Sequence, residues 1–178
     1  MQIVYIAHPI GGDVARNVAL VEDRCRLIYQ DKPDVIPLAP YLMALRYLND
    51  AVPEDRLRGT AGNKEFFDRK VMDEVWLFGD RISHGMWEEV LWSRSLGIRV
   101  RPMSKRVHLD LIRHELKVGD QVSVLCCGPS TPCICTYLGE MENGQGLRVI
   151  APIGETDIWW GEIVRFEPAQ YTLIECWY

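Results

Sequence analysis

From Met1 to about residue 103, short apolar runs alternate with longer amphipathic stretches. Ile3-Val4-Tyr5-Ile6 predicts a buried strand, and Ala7-His8-Pro9-Ile10-Gly11-Gly12 a loop that ends it. Asp13 is placed to cap a helix on which Val14, Val18, Val21, Cys25 and Ile28 step by four and three residues, one helical face that stops before Pro33. Val35-Ile36-Pro37-Leu38 predicts a second strand. Helices lead from there, the main one over about Glu54 to Met72, to a third strand at Val75-Trp76-Leu77-Phe78. A helix over Met86 to Leu96, stopped by Gly97, and a strand at Ile98-Arg99-Val100 complete the series.

Alternating strands and helices with all-apolar strands predict an α/β fold: a doubly wound, flavodoxin- or Rossmann-like parallel sheet of four or five strands, covered on both faces. From about Lys105 the pattern changes. A helical piece over Val107 to Leu116 is followed by alternating runs at 116–124, Cys133 to Leu138, Leu147 to Ala151, Glu162 to Phe166 and Tyr171 to Trp177. Gly, Asn and Pro turns separate them, and five short strands in so small a span predict an SH3-like β-barrel. Two domains are therefore expected, 1–104 and 105–178.

A chain of 178 residues accommodates this division. The net charge of −5 comes from 20 basic and 25 acidic side chains. Of these, 6 basic and 10 acidic lie in 105–178, so the first part carries 14 and 15, nets −1, and leaves −4 to the barrel. No basic stripe suits a nucleic-acid polymer. A nearly neutral first domain can still accept an anionic small molecule. No apolar window reaches the roughly 18 residues of a membrane span. Met1 leads directly into the first strand without a basic segment or cleavage site, so a cytoplasmic protein without membrane partners is expected.

Cys126, Cys127, Cys133 and Cys135 crowd into ten residues. Thiolates can hold zinc, but adjacent cysteines and a one-residue spacer differ from the usual two-residue knuckle, and small apolar residues in a hairpin are the favoured reading. His8 and His84 show no metal-ligand spacing, and no metal or cofactor is expected. Trp76, Trp87 and Trp92 read as core or subunit contacts, with Trp87 near enough to the site below to stack on a base. Trp159-Trp160 would expose at least one ring, a contact surface through which the barrel could engage a protein partner.

Ligands of parallel sheets bind at the carboxyl ends of the strands. The loop at His8, Pro9, Gly11 and Gly12 could offer backbone N–H groups and a helix N-terminus to a phosphate or hydroxyl, although two glycines also serve a tight turn. In 73–89, Asp80 emerges from a strand end and Glu88 and Glu89 sit at a helix start. Only one of two successive helical residues can face the cleft squarely. Both could merely offset the helix dipole, and Asp80 could be a turn former. If the first and third strands are neighbours, the Tyr5 hydroxyl reaches a carboxylate at that helix start and tunes it.

Tyr5-Ile6-Ala7-His8-Pro9, Asp73-Glu74-Val75-Trp76, and Gly85-Met86-Trp87-Glu88-Glu89-Val90 followed by Gly97-Ile98 resemble, in order, motifs of the nucleoside 2-deoxyribosyltransferase superfamily. The nearest branch is that of short bacterial and phage proteins of unassigned function, and the resemblance covers about residues 1–103. It implies a Gly-x-x-x-Glu motif whose fourth residue after Gly85, Glu89, is the nucleophile, with Tyr5 hydrogen-bonded to it. Asp80, and after it Asp68, are the candidates to protonate the leaving base. The family's own acid position falls on Ser83, and its base-contacting aspartate position on Glu65. The resemblance also implies a homo-oligomer.

In that chemistry a carboxylate displaces the base at the anomeric carbon, and a second base or water then releases the glycosyl ester. The catalytic candidates are thus Glu89, Tyr5 and Asp80. His8, Pro9, Gly11 and Gly12 on one loop, and Asp68, Ser83, Gly85 and Met86 elsewhere, surround the substrate. Three readings follow: transfer or cleavage at the N-glycosidic bond of a nucleoside; hydrolysis of a nucleoside 5′-monophosphate; or a non-catalytic nucleotide sensor or sequestering protein.

Overall fold

A computed structural model describes residues 1–126, 133–142, 146–151, 154–159 and 163–168, with backbone alone at 123–126, 133, 146, 158–159 and 163–168. The chain is mixed α/β and divides into two compact units, Met1–His108 and Leu109–Tyr178. The first holds β1 (Gln2–Ala7), α1 (Val14–Asp31), β2 (Val35–Leu38), α2 (Tyr41–Tyr47), α3 (Pro53–Asp68), β3 (Glu74–Leu77), α4 (His84–Ser95) and β4 (Arg99–Pro102). Its four strands form a parallel sheet in the order β2-β1-β3-β4. Tyr5 lies level with Leu38 on one side and Val75 on the other, so β1 and β3 are direct neighbours.

Strand alternation separates the side chains of β1. Val4 and Ile6 pack with Trp76 and with Val21 and Ile28 of α1, the buried part of the predicted helical stripe, while Val14 at its start is exposed. Tyr5 points the other way, into a ring cluster: its centroid lies 4.8 Å from Phe67, which meets Trp92 edge-on at 5.4 Å. Asp13 caps α1 by accepting from the Arg16 N–H at 3.1 Å. Glu74, almost wholly buried, is satisfied by Trp76 Nε1 (2.9 Å) and by Arg99 and Arg101 of the edge strand.

The division between the units falls within α5 (Lys105–Glu115). Beyond it, β5 (Gln121–Cys126), β6 (Cys133–Glu140), β7 (Gly146–Ala151), β8 (Gly154–Trp159) and β9 (Ile163–Pro168) form a separate antiparallel sheet in the order β8-β7-β6-β5-β9. Its core joins Ile112 of α5 to Val122, Cys135, Tyr137, Leu147 and Val149, while Ile134 and Ile150 face outward, the alternation expected of a sheet with one solvated face. Arg113 and Glu140 pair bidentately at 2.7 and 2.6 Å.

β8 was not foreseen. Gly-Glu-Thr-Asp lacks an apolar alternation because an edge strand needs only one partner, here β7, with Arg148 directly opposite Asp157. The strand expected at Tyr171–Trp177 and the exposed ring expected at Trp159–Trp160 lie outside the described residues and side chains. Of the cysteine cluster only the Cys135 side chain is described, and it is buried. Among the described residues no helix is long and apolar enough to cross a membrane.

Candidate functional site

At the carboxyl ends of β1 and β3 the first unit opens a cleft of about 290 Å³. Its polar wall is the start of α4, Ser83 to Met86, together with Glu88 and Glu89. Its apolar wall is Ala44, Leu45 and Leu48, with Tyr41 and Trp92 contributing rings. His8, Ile10 and Gly11 come from the loop after β1. Asn63, Thr60, Asp50, Asp55 and Arg56 come from α3 and the turn before it. The Asn17 side chain donates to the carbonyls of Ile10 and Gly11 at 3.1 Å each, holding that loop against α1.

Glu89 lies at the base of the cleft, 9% exposed. Tyr5 Oη donates to Glu89 Oε1 at 2.6 Å, and Asn63 Nδ2 donates to the same oxygen at 3.0 Å and to Tyr5 Oη at 2.8 Å. Burial pushes the Glu89 carboxyl up from 4.5 to about 7. The two hydrogen bonds, which favour the ionised form, pull against it, and nearby Glu88 adds a small push upward. Tyr5 is driven well above the ordinary phenol range, by burial first and then by the Glu89 charge, so it remains a donor. Tyr41 is raised for the same two reasons and donates to the Ile6 carbonyl at 2.7 Å. The result is a desolvated carboxylate, half ionised near neutrality, with one oxygen pinned by two donors.

Six of the sequence candidates line the cleft: His8, Gly11, Ser83, Gly85, Met86 and Glu89. Tyr5 lies beneath it as the partner of Glu89. Pro9, Gly12, Asp68 and Asp80 do not line it. Asp68 ends α3, exposed and paired with Lys64 at 2.6 Å. Asp80 is exposed because β3 stops at Leu77 and the loop turns at Gly79 (φ 99°), where a Cβ would come within 2.8 Å of Pro9 Cδ. The buried Pro9 serves this packing. Helix α4 begins at His84 with Ser83 as its cap, accepting from the Met86 N–H at 3.3 Å. That puts Glu88 and Glu89 in the second turn, too far along to serve the helix dipole. Trp92, not Trp87, is the tryptophan at the cleft.

Residues 2–103 match a family described as a domain of unknown function, DUF7768. The chain belongs to that family. Searches of curated proteins and of solved structures return no significant match. The whole cleft lies within the DUF7768 domain. The residue that sequence reasoning missed in that domain is Asn63. A signal existed: Gly59, Asn63 and Phe67 stand four apart on α3, and a polar residue in the middle of the stripe that packs on β1 and α2 needs a partner inside. Among the described residues no three His, Cys, Asp or Glu side chains are grouped as metal ligands would be.

Proposed function

We propose that the DUF7768 domain of this chain acts at the N-glycosidic bond of a nucleoside or nucleotide, with Glu89 as the nucleophile, in the manner of the nucleoside 2-deoxyribosyltransferases. The observation that carries this reading is the buried Glu89 carboxylate in a cleft, held by Tyr5 and Asn63. Tyr5 and Asn63 orient one carboxylate oxygen and leave the other to approach the anomeric carbon. The bond from that carbon to the base breaks, the base leaves with the electron pair and takes a proton from solvent, and a glycosyl ester forms on Glu89. Water or a second base then displaces Glu89 at the same carbon. The half-apolar, half-polar walls suit a planar base beside a hydroxylated sugar. With this reading goes the assignment of the parallel sheet to the doubly wound class and of the antiparallel sheet to an SH3-like barrel.

A nucleoside 5′-monophosphate is the runner-up substrate. It is favoured by the N-terminal turn of α4 and the Gly11 backbone, which border the same cleft and suit an anion. Incubation with a panel of nucleosides and 5′-monophosphates, with and without a second free base, tests both. Base release confined to 5′-monophosphates selects the runner-up. No free base and no exchanged product from any substrate, with binding that survives Glu89→Gln, would instead mark a nucleotide-binding sensor.

A further inference from the structure

The reaction proposed above has a second half that Glu89 cannot serve alone. Once its carboxylate is tied up as an ester, the water that frees the sugar needs another group to take its proton. Asp80 and Asp68, the sequence candidates for proton transfer, are outside the cleft. The side chains lining it that can take up a proton, besides Glu89, are His8, His84, Asp50, Asp55 and Glu88; Tyr41 is a donor and Arg56 already a cation. Asp55 is committed to the turn before α3, accepting from the Asn49 N–H at 2.9 Å. Asp50 and His84 are exposed at the rim, and Glu88 lies about 100° round the helix from Glu89.

His8 differs from these in being set in place. It follows β1 three residues after Tyr5 and is half-buried. Its Nδ1 lies 2.8 Å from the Pro9 carbonyl, which can only accept, so Nδ1 carries the proton. Pro9 is itself fixed against Gly79. A neutral imidazole protonated at Nδ1 has its lone pair at Nε2, for which the structure gives no hydrogen-bond partner among the described residues.

We propose that His8 is the general base of the second half-reaction, the group that deprotonates the water that frees the sugar. This rests on Glu89 being the nucleophile. His8 Nε2 takes a proton from water as the water oxygen bonds to the anomeric carbon. The ester C–O bond breaks with its electron pair returning to the Glu89 carboxylate, and the imidazolium afterwards gives its proton to solvent.

The test follows base release by rapid quench, and the intact mass of the protein, on whichever nucleoside or 5′-monophosphate of the panel is cleaved. His8→Gln keeps a donor toward the Pro9 carbonyl. It is expected to release one equivalent of base in a burst, to carry one sugar on the peptide containing Glu89, and to hydrolyse about 10² to 10⁴-fold more slowly in the steady state. Azide, an anionic nucleophile that needs no deprotonation, restores its turnover and yields the glycosyl azide. Steady-state hydrolysis by both His8→Gln and His8→Asn within about threefold of the unaltered protein overturns the role of His8 and leaves that of Glu89 standing. Loss of the burst along with turnover in folded variants does the same. No base release from any substrate by the unaltered protein overturns the reading of Glu89 and, with it, that of His8.

Discussion

Glu89→Gln is expected to inactivate the protein and to stabilise its first unit, with a stabilisation that depends on pH. The Glu89 carboxyl titrates at about 7 in the folded chain against an ordinary 4.5, and the cause is burial. A carboxyl raised in this way is protonated in both states below 4.5 and contributes no penalty there. As pH rises from 4.5 to 7 the unfolded chain releases the proton and the folded one holds it, so stability is lost across that window and the loss levels off above 7. At about 1.36 kcal/mol per pH unit the cost comes to under about 1 kcal/mol at pH 5 and about 3 kcal/mol at pH 8. Glutamine keeps an oxygen that accepts from Tyr5 and Asn63 and never carries the charge. The variant is thus more stable than the parent by about these amounts. Because the chain has two compact units, the assay is hydrogen exchange of peptides covering β1 and β3 against urea at the two pH values, which reads the first unit alone. An equal difference between variant and parent at pH 5 and pH 8 would refute the reasoning, since the ionised carboxylate would then not be desolvated.

The other predictions concern the partners of Glu89 and the loop geometry. Tyr5→Phe and Asn63→Ala each remove a donor that favours the ionised carboxylate, so the acid limb of the kcat/KM profile moves upward from about 7, and a limb that stays in place or moves down contradicts the assignment. Asn63→Ala also leaves a buried hydroxyl with a poorer partner and is expected to cost about 1 to 3 kcal/mol in urea unfolding. Gly79→Ala, at φ 99° and with Pro9 Cδ 2.8 Å from the new methyl, is expected to lose about 1 to 3 kcal/mol. Asp80→Asn, exposed and away from the cleft, is expected to change turnover by less than about threefold, and a larger loss would return Asp80 to the chemistry.

Much of the first unit is legible along the chain because its signals are local. Short apolar runs bounded by Gly and Pro mark the strands, a three-four periodicity marks α1, and Asp13 has only to reach a backbone N–H three residues on. The pairing of Tyr5 with the end of the Gly85-x-x-x-Glu89 motif is anticipated once β1 and β3 are taken as neighbours, and the two side chains meet at 2.6 Å. Other features depend on packing. Asn63 joins residues 58 and 26 positions away only because Phe67 seats α3 on β1 in one rotation. Asp80 is lost from the cleft because β3 ends one residue early and Gly79 turns the loop. β8 is invisible because an edge strand is held by its neighbour and not by an apolar face. Local periodicity determined which segments become strands and helices. Which side chains converge on the Glu89 carboxylate was decided only when those segments packed, since that convergence depends on helix rotation and strand register, and neither is encoded within a single element.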